Sequence, residues 1–200
     1  MVGPENDITL KDRLVFEPLT IENWDKFVHL FGKRGACCDC WCMYYRLPKV
    51  AWEAGKADDG NKNAMHHLVI ENKPAGILAF YKDEAVAWAA FAPREDFIKL
   101  EKSRVHKRID NKSVWSVPCF FIKKEFRRKG VTSELIKGII RYARENSIEI
   151  IEAYPSITAG KSPDAFLWTG LYKPFEKAGF KIVDQKSKNK PMIRYYTVPE

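Results

Sequence analysis

The sequence predicts an α/β domain of the α+β kind: a mixed, mostly antiparallel twisted sheet with helices on both faces. Three observations carry that expectation. From Val114 to Tyr154 the chain reads strand, basic turn, amphipathic helix, strand, which makes a parallel pair joined by a right-handed crossover. From Pro74, two apolar runs, AGILAFY and AVAWAAFAP, flank the charged triplet Lys82-Asp83-Glu84 and read as an antiparallel hairpin. Two hundred residues at 46% hydrophobic content suit one compact core.

The elements follow in order. Leu14 to Glu17 is a first strand, and Thr20 is placed to cap a helix running through about Phe31, with Glu22 in its first turn. Lys33 to Gly35 breaks that helix, and a cysteine-aromatic segment, Cys37 to Arg46, follows. Pro48 starts a short helix, Asp58-Asp59-Gly60 turns the chain, and Asn61 to Ile70 is helical again. Pro93 ends the second hairpin strand, and Arg94 to Arg104 reads as a short helix. Beyond the Val114–Ile122 strand, Leu135, Ile136, Ile139, Ile140 and Ala143 recur at helical spacing. Ile148 to Tyr154 is a strand, Pro155, Gly160 and Pro163 mark a loop, and a helix from about Asp164 to Ala178 leads into a last hairpin. No repeat or low-complexity linker divides the chain, so one domain spans 1–200, with helices at about 20–72 ahead of a sheet core at about 74–198.

Chemistry concentrates at the turn EFRRKGVT. Backbone N–H groups of a glycine-containing turn and the positive end of a helix dipole converge on one spot, beside arginine and lysine, and together cradle a phosphate. An ordinary strand-to-helix turn with a solvated basic patch is the plainer alternative. Arg127-Arg128-Lys129-Gly130-Val131-Thr132 resembles the acyl-CoA pyrophosphate loop of the GNAT superfamily of N-acyltransferases, with Arg127 and Gly130 on the pattern and Thr132 where a second small residue is usual. About fifty residues on, Phe175-Glu176-Lys177-Ala178-Gly179-Phe180 resembles the Tyr-Glu-Lys-x-Gly-Phe signature near the end of such domains. Cys40-Trp41-Cys42-Met43-Tyr44, Ala92-Pro93-Arg94-Glu95-Asp96 and Trp168-Thr169-Gly170 are similar to segments of one bacterial subgroup.

The resemblance implies a GNAT-type sheet whose parallel strands, ending near Ile122 and Tyr154, splay apart and admit the pantetheine arm of acetyl-CoA. Main-chain groups of Phe120, Phe121 and Ile122 would bind that arm, and Arg127, Arg128, Lys129, Gly130, Val131, Thr132 and Ser133 the pyrophosphate. The family's usual tyrosine acid is Phe175 here, and its usual asparagine, seven residues earlier, is Trp168. Phenylalanine has no proton to give, so Tyr172, one helical turn before it, becomes the candidate acid, with a packing role as the alternative. Glu152, an acid within an apolar strand, is the candidate base, or else a carboxylate paired with lysine or arginine. Cys119 reads as a small buried hydrophobe, with an acyl-cysteine relay as the rarer possibility.

Composition narrows the rest. Net charge is +8, and Lys123, Lys124, Arg127, Arg128 and Lys129 cluster where the phosphates of coenzyme A would lie, which gives the charge a local reason without nucleic acid. There is no apolar run of membrane-span length and no signal-peptide pattern at the first residues, so a cytoplasmic protein is expected. Five cysteines, four of them between Cys37 and Cys42, match neither a disulfide framework nor a paired zinc knuckle, and no metal is expected. Cys40, Trp41, Cys42 and Tyr44 are instead expected to line the acceptor side of the cleft and favour an amine with an aromatic or aliphatic part. Three functions follow: transfer of an acyl group to a primary amine of a small molecule or peptide, an acyl-CoA-binding regulator without turnover, or a thiol or metal sensor. The oligomeric state stays open, a homodimer included.

Overall fold

A computed structural model describes residues 10–158 and 168–198. Nine strands among the described residues fall into two pairing groups. One runs in the order β1 (Leu14–Pro18), β2 (Gly76–Tyr81), β3 (Glu84–Ala90), β6 (Phe120–Ile122). The other runs β4 (Ala92–Pro93), β5 (Trp115–Val117), β7 (Ile150–Ala153), β9 (Met192–Tyr196), β8 (Lys181–Asp184). Every pairing between these strands is antiparallel except that of β5 with β7. The helices are α1 (Trp24–Phe31), α2 (Lys49–Ala54), α3 (Gly60–Ile70), α4 (Ile98–Glu101), α5 (Val131–Glu145) and α6 (Tyr172–Lys177).

Period-two alternation builds two cores, one on each face of the sheet. Ile77 and Ala79 of β2 face Leu135, Ile136, Ile139 and Ile140, the apolar stripe of α5. Leu78 and Phe80 face the other way, toward Phe27, Phe31, Trp41, Met65 and Trp88 under α1 and α3. The β2–β3 register shifts by one between Ala79 and Phe80, leaving Val86 as an extra residue, so Val86 and Ala87 share the α5 side. The hairpin turn holds Lys82 and Asp83, both at positive φ (50° and 67°), which matches the twist of the strands it joins.

Several sequence expectations need correction. The first helix starts at Trp24 rather than after Thr20, because the Thr20 N–H donates to the Asn23 side chain (2.9 Å) and closes a turn instead of capping. The expected helix over 94–104 is a single 3-10 turn at Arg94–Asp96 and the short α4. The expected strand over 114–122 is two strands, β5 and β6, separated by Pro118 and Cys119. The late helix begins at Tyr172; residues 168–171 are not helical, and the expected helical residues 164–167, with Gly160 and Pro163, lie outside the described residues.

Gly76 is required where β2 meets β3. A Cβ there would lie 2.2 Å from the Ala89 carbonyl oxygen and 2.5 Å from the Trp88 ring. Gly76→Ala is therefore expected to destabilise the protein by about 2 kcal/mol, as overpacking of a dense interior does, read as a lower urea midpoint with unchanged m-value.

Candidate active site

The sheet opens at a proline. β5 and β7 pair over Trp115↔Ile151, Ser116↔Glu152 and Val117↔Ala153. Pro118 and Cys119 come next and belong to neither strand. The chain then crosses to β3, where Phe120, Phe121 and Ile122 pair with Ala89, Trp88 and Ala87. Beyond Val117 and Ala153 the two parallel strands thus part, as expected from the sequence.

Flanking bonds fix which main-chain groups face the opening. The Ala90 N–H donates to the Cys119 carbonyl and the Lys123 N–H to the Val86 carbonyl, both at 2.9 Å. Alternation then turns the Phe121 peptide groups toward β3, and those of Phe120 and Ile122 toward the gap. Of the three residues expected to hold an arm there, Phe121 is spent on the β3 ladder. The Phe120 N–H is also held, donating to the Trp168 carbonyl at 2.7 Å.

The basic turn closes the same end. Lys124–Phe126 forms a 3-10 turn, Arg127 is extended, and Arg128 and Gly130 take positive φ (60° and 81°) before α5 begins at Val131. Gly130 supplies the left-handed N-cap without a Cβ penalty, whereas Arg128 adopts that region as a non-glycine residue, a conformation typical of ligand loops. The amides of Val131 and Thr132 have no acceptor inside the helix, while the Ser133 N–H donates to the Gly130 carbonyl (3.0 Å). Arg127 Nε donates to the Ile122 carbonyl (2.9 Å), tying the turn to β6. Lys123 pairs with Glu84, so that lysine serves the hairpin before any ligand. A concave turn of amides with exposed Arg128 and Lys129 beside it fits a diphosphate.

Residues 168–172 border the opposite side of the gap. The Ser156 N–H donates to the Gly170 carbonyl (2.9 Å) and the Tyr172 N–H to the Ser156 carbonyl (3.1 Å). Gly170 has φ 81°, and a Cβ on it would sit 3.2 Å from Phe175 and 3.3 Å from Phe120. Phe175 is fully buried, its ring 5.7 Å from Phe120 and 5.0 Å from Phe180, so the family's acid position is core here. Tyr172 sits half-buried at the start of α6, and desolvation and the Glu176 carboxylate raise its phenol above the ordinary value. It stays protonated at neutral pH.

Glu152 sits in a buried ion-pair network. Its Oε1 accepts from Arg94 Nη1 and from the Tyr154 hydroxyl (2.5 Å), and its Oε2 accepts from Arg194 Nε at 2.8 Å. Glu152 and Arg194 are direct cross-strand partners on β7 and β9. Arg194 reaches on to Asp110 (2.6 Å), and Arg94 to Glu101 (2.8 Å) and the His106 carbonyl (2.5 Å). Glu152, Arg94 and Arg194 are at most 1% exposed. Two arginines and a phenol engage both oxygens of this buried carboxylate. Of the two sequence readings, the arginine-paired carboxylate is the one the geometry matches.

The expected acceptor wall also divides. Trp41 and Cys42 are core: Trp41 stacks on Phe31 (5.6 Å, 16°), and Cys42 Sγ accepts from Trp88 Nε1 (3.0 Å) and lies 3.3 Å from Cys119 Sγ. Cys40 is mostly buried, and desolvation first, then Cys42, pushes its thiol up to about 11. Cys37 and Cys38 are exposed, and no group of three or more His, Cys, Asp or Glu among the described residues could hold a metal ion. Only Tyr44 reaches the surface, where it meets Tyr45, Trp52 and Trp168 (5.1–5.7 Å between centroids). Tyr45 and Trp52 were not foreseen as neighbours of this site.

The profile of the Acetyltransferase (GNAT) family matches residues 40–159, more than half of the sequence. The chain belongs to the GNAT acetyltransferase family. That membership makes the protein an acyltransferase with acetyl-CoA as cosubstrate. No curated protein matches the sequence. Among solved structures, histone acetyltransferase HPA2 and related acetyltransferase from Corynebacterium glutamicum is 16% identical (TM-score 0.54; 94% of this chain, 98% of that one). A GNAT family acetyltransferase from Streptococcus agalactiae is 11% identical (TM-score 0.53; 92% and 95%). The PaiA N-acetyltransferase of Thermoplasma acidophilum, solved with coenzyme A, is 13% identical (TM-score 0.50; 92% and 98%). At these identities the likeness is one of fold. No helix among the described residues is long and apolar enough to cross a membrane.

Glu152→Gln separates anchor from base. Removing one partner of a buried ion pair is expected to cost about 3 kcal/mol of stability. Urea denaturation reads that loss, and turnover per folded molecule should stay within about twofold of wild type, against the 10²–10⁴-fold typical of a lost base.

Proposed function

We propose that this protein transfers the acetyl group of acetyl-CoA to a primary amine of a small molecule or peptide by direct attack in a ternary complex. The observation that carries this is the break at Pro118, which opens a gap between β6 and the end of β7 directly beside the turn of amides at 128–132. The gap takes the amide-rich pantetheine arm, and the turn takes the diphosphate with Arg127, Arg128, Lys129, Gly130, Val131, Thr132 and Ser133 around it. The gap-facing N–H of Ile122 offers a donor to the arm or to the thioester carbonyl.

When bound, acetyl-CoA supplies an activated acyl carbon. The amine lone pair forms the new C–N bond, the C–S bond breaks, and the sulfur and the amine exchange one proton in net terms. Tyr172, tied to Ser156 at the gap's edge and kept protonated, is the residue we assign to protonate the sulfur. The amine's own proton goes to water, since Glu152 is engaged elsewhere. A second reading, an acyl-CoA-binding regulator without turnover, is favoured by one observation: the family's acid position holds the buried Phe175. Release of free coenzyme A with an amine panel decides for the enzyme, and binding without acceptor-dependent release decides for the regulator.

Gly130→Glu is expected to abolish acetyl-CoA binding in calorimetry while leaving the fold intact, because it sets bulk and negative charge against the diphosphate. Unchanged affinity would remove the turn from the site. Tyr172→Phe should lower kcat by about tenfold or more with little change in acetyl-CoA affinity, the lower end of what a general acid supplies. Equal kcat would leave the sulfur to be protonated by water.

A further inference from the structure

We propose that Tyr44, Tyr45, Trp52 and Trp168 form the acceptor subsite, and that it takes an amine bearing both an aromatic ring and an anionic group, the ring in the box and the anion on Lys99. The assignment rests on the acetyl-transfer reading above and adds the substrate's chemical class to it.

The rings form a cluster at the surface. Tyr44 meets Trp52, Tyr45 and Trp168 at 5.1, 5.2 and 5.7 Å, with interplanar angles of 85°, 82° and 79°, and Trp168 lies 5.5 Å from Tyr45. Such edge-to-face contacts leave the ring faces unstacked on one another, and those of Tyr44 and Trp52 carry the ammoniums of Lys99 and Lys56. Tyr44 and Trp168 are 37% and 36% exposed, while the aromatic core beneath them (Phe27, Phe31, Trp41, Trp88) is at most 3% exposed. Tyr45 and Trp52 pack against that core, and Tyr44 and Trp168 carry the cluster out to the surface.

Its location suits an acceptor. The Trp168 carbonyl holds the Phe120 N–H at the edge of the gap, and Tyr45 packs with Cys119, the residue before Phe120, against the same core. The box thus lies beside the strand that borders the proposed thioester track.

Its charge is specific. Lys99 Nζ lies 3.6 Å from the Tyr44 ring centroid and 5.0 Å from that of Trp52, and its backbone N–H donates to the Tyr45 carbonyl at 3.1 Å. Lys56 Nζ lies 4.0 Å from the Trp52 ring, and Lys49 acts on Lys99 from nearby. Glu53 is the acid in this group and is paired with Lys56 (2.6 Å). The rings already hold an ammonium, so a cationic guest meets repulsion and a carboxylate meets Lys99. Burial first, and then Lys49 and Lys56, depress the Lys99 ammonium, and the same surroundings favour the neutral form of an incoming amine. That is the form which attacks.

The test titrates phenylalanine, phenethylamine, 3-phenylpropionate and leucine calorimetrically into the full chain, with and without saturating coenzyme A, beside a separate acetyl-CoA titration. Phenylalanine and 3-phenylpropionate are expected to bind about tenfold more tightly than phenethylamine and leucine, a factor within reach of one carboxylate–lysine pair and one ring. Phenylalanine should release coenzyme A from acetyl-CoA. Lys99→Gln should erase the preference for the carboxylate, and Trp52→Ala or Tyr44→Ala should weaken every aromatic probe, all three leaving acetyl-CoA affinity unchanged. Phenethylamine binding as tightly as 3-phenylpropionate, or no saturable binding of any aryl probe, overturns the box. Failure of acetyl-CoA itself to bind overturns the donor site instead, and the probes then judge the box on the free protein.

Discussion

Two parallel strands stay together only while both exchange hydrogen bonds, and in this chain the exchange stops after three residue pairs. The β5–β7 ladder ends at Val117 and Ala153, and after Pro118 and Cys119 the chain pairs with β3 instead. Everything proposed for the donor side follows from that constraint: the gap, the orientation of the Phe120 and Ile122 peptides, and the placement of α5's first turn at its mouth. The paired half of the same junction is held by charge. Glu152 lies directly across from Arg194 and reaches Arg94, so one carboxylate ties β7 to its neighbour and to the segment after β4. A buried pair of this kind contributes little net stability over an apolar equivalent but is costly to break. Its effect is to fix where the strands remain together.

Much of this was legible in the sequence, and the reasons are physical. Periodicity is a local property, so the α5 stripe, the hairpin and the strand–turn–helix unit could be read from consecutive residues. Gly130 before a helix and basic residues around it also announced themselves locally. What escaped depended on partners far along the chain. Glu152 finds Arg94 58 positions earlier and Arg194 42 positions later, and one buried acid in a strand looks the same whether it awaits a substrate or an arginine.

The cysteine-aromatic segment failed for a different reason. Ala36, Cys38, Asp39, Trp41 and Cys42 all take positive φ, a run of left-handed turns that follows neither a helical nor an extended period. Which side chains such a path buries cannot be read from spacing. Trp41 and Cys42 went inward, and Tyr44 went outward to join Trp52 and Trp168. An aromatic cluster therefore forms at the surface around Tyr44, with Tyr45, Trp52 and Trp168 as its neighbours. The replacement of the family's tyrosine by Phe175 was visible at once, yet only the packed structure shows the ring wedged between Phe120 and Phe180.

Trp168 touches both of the proposed subsites. Its carbonyl occupies the Phe120 amide on the donor strand, and its ring completes the cluster around Tyr44. An arm that takes up the Phe120 amide must dislodge that carbonyl, and the attached indole would shift with it. Donor and acceptor affinities are then linked through a single residue, and thermodynamic reciprocity makes whatever one ligand does to the other equal in both directions. Ordered addition of substrates would in that case arise from one peptide unit rather than from a moving lid.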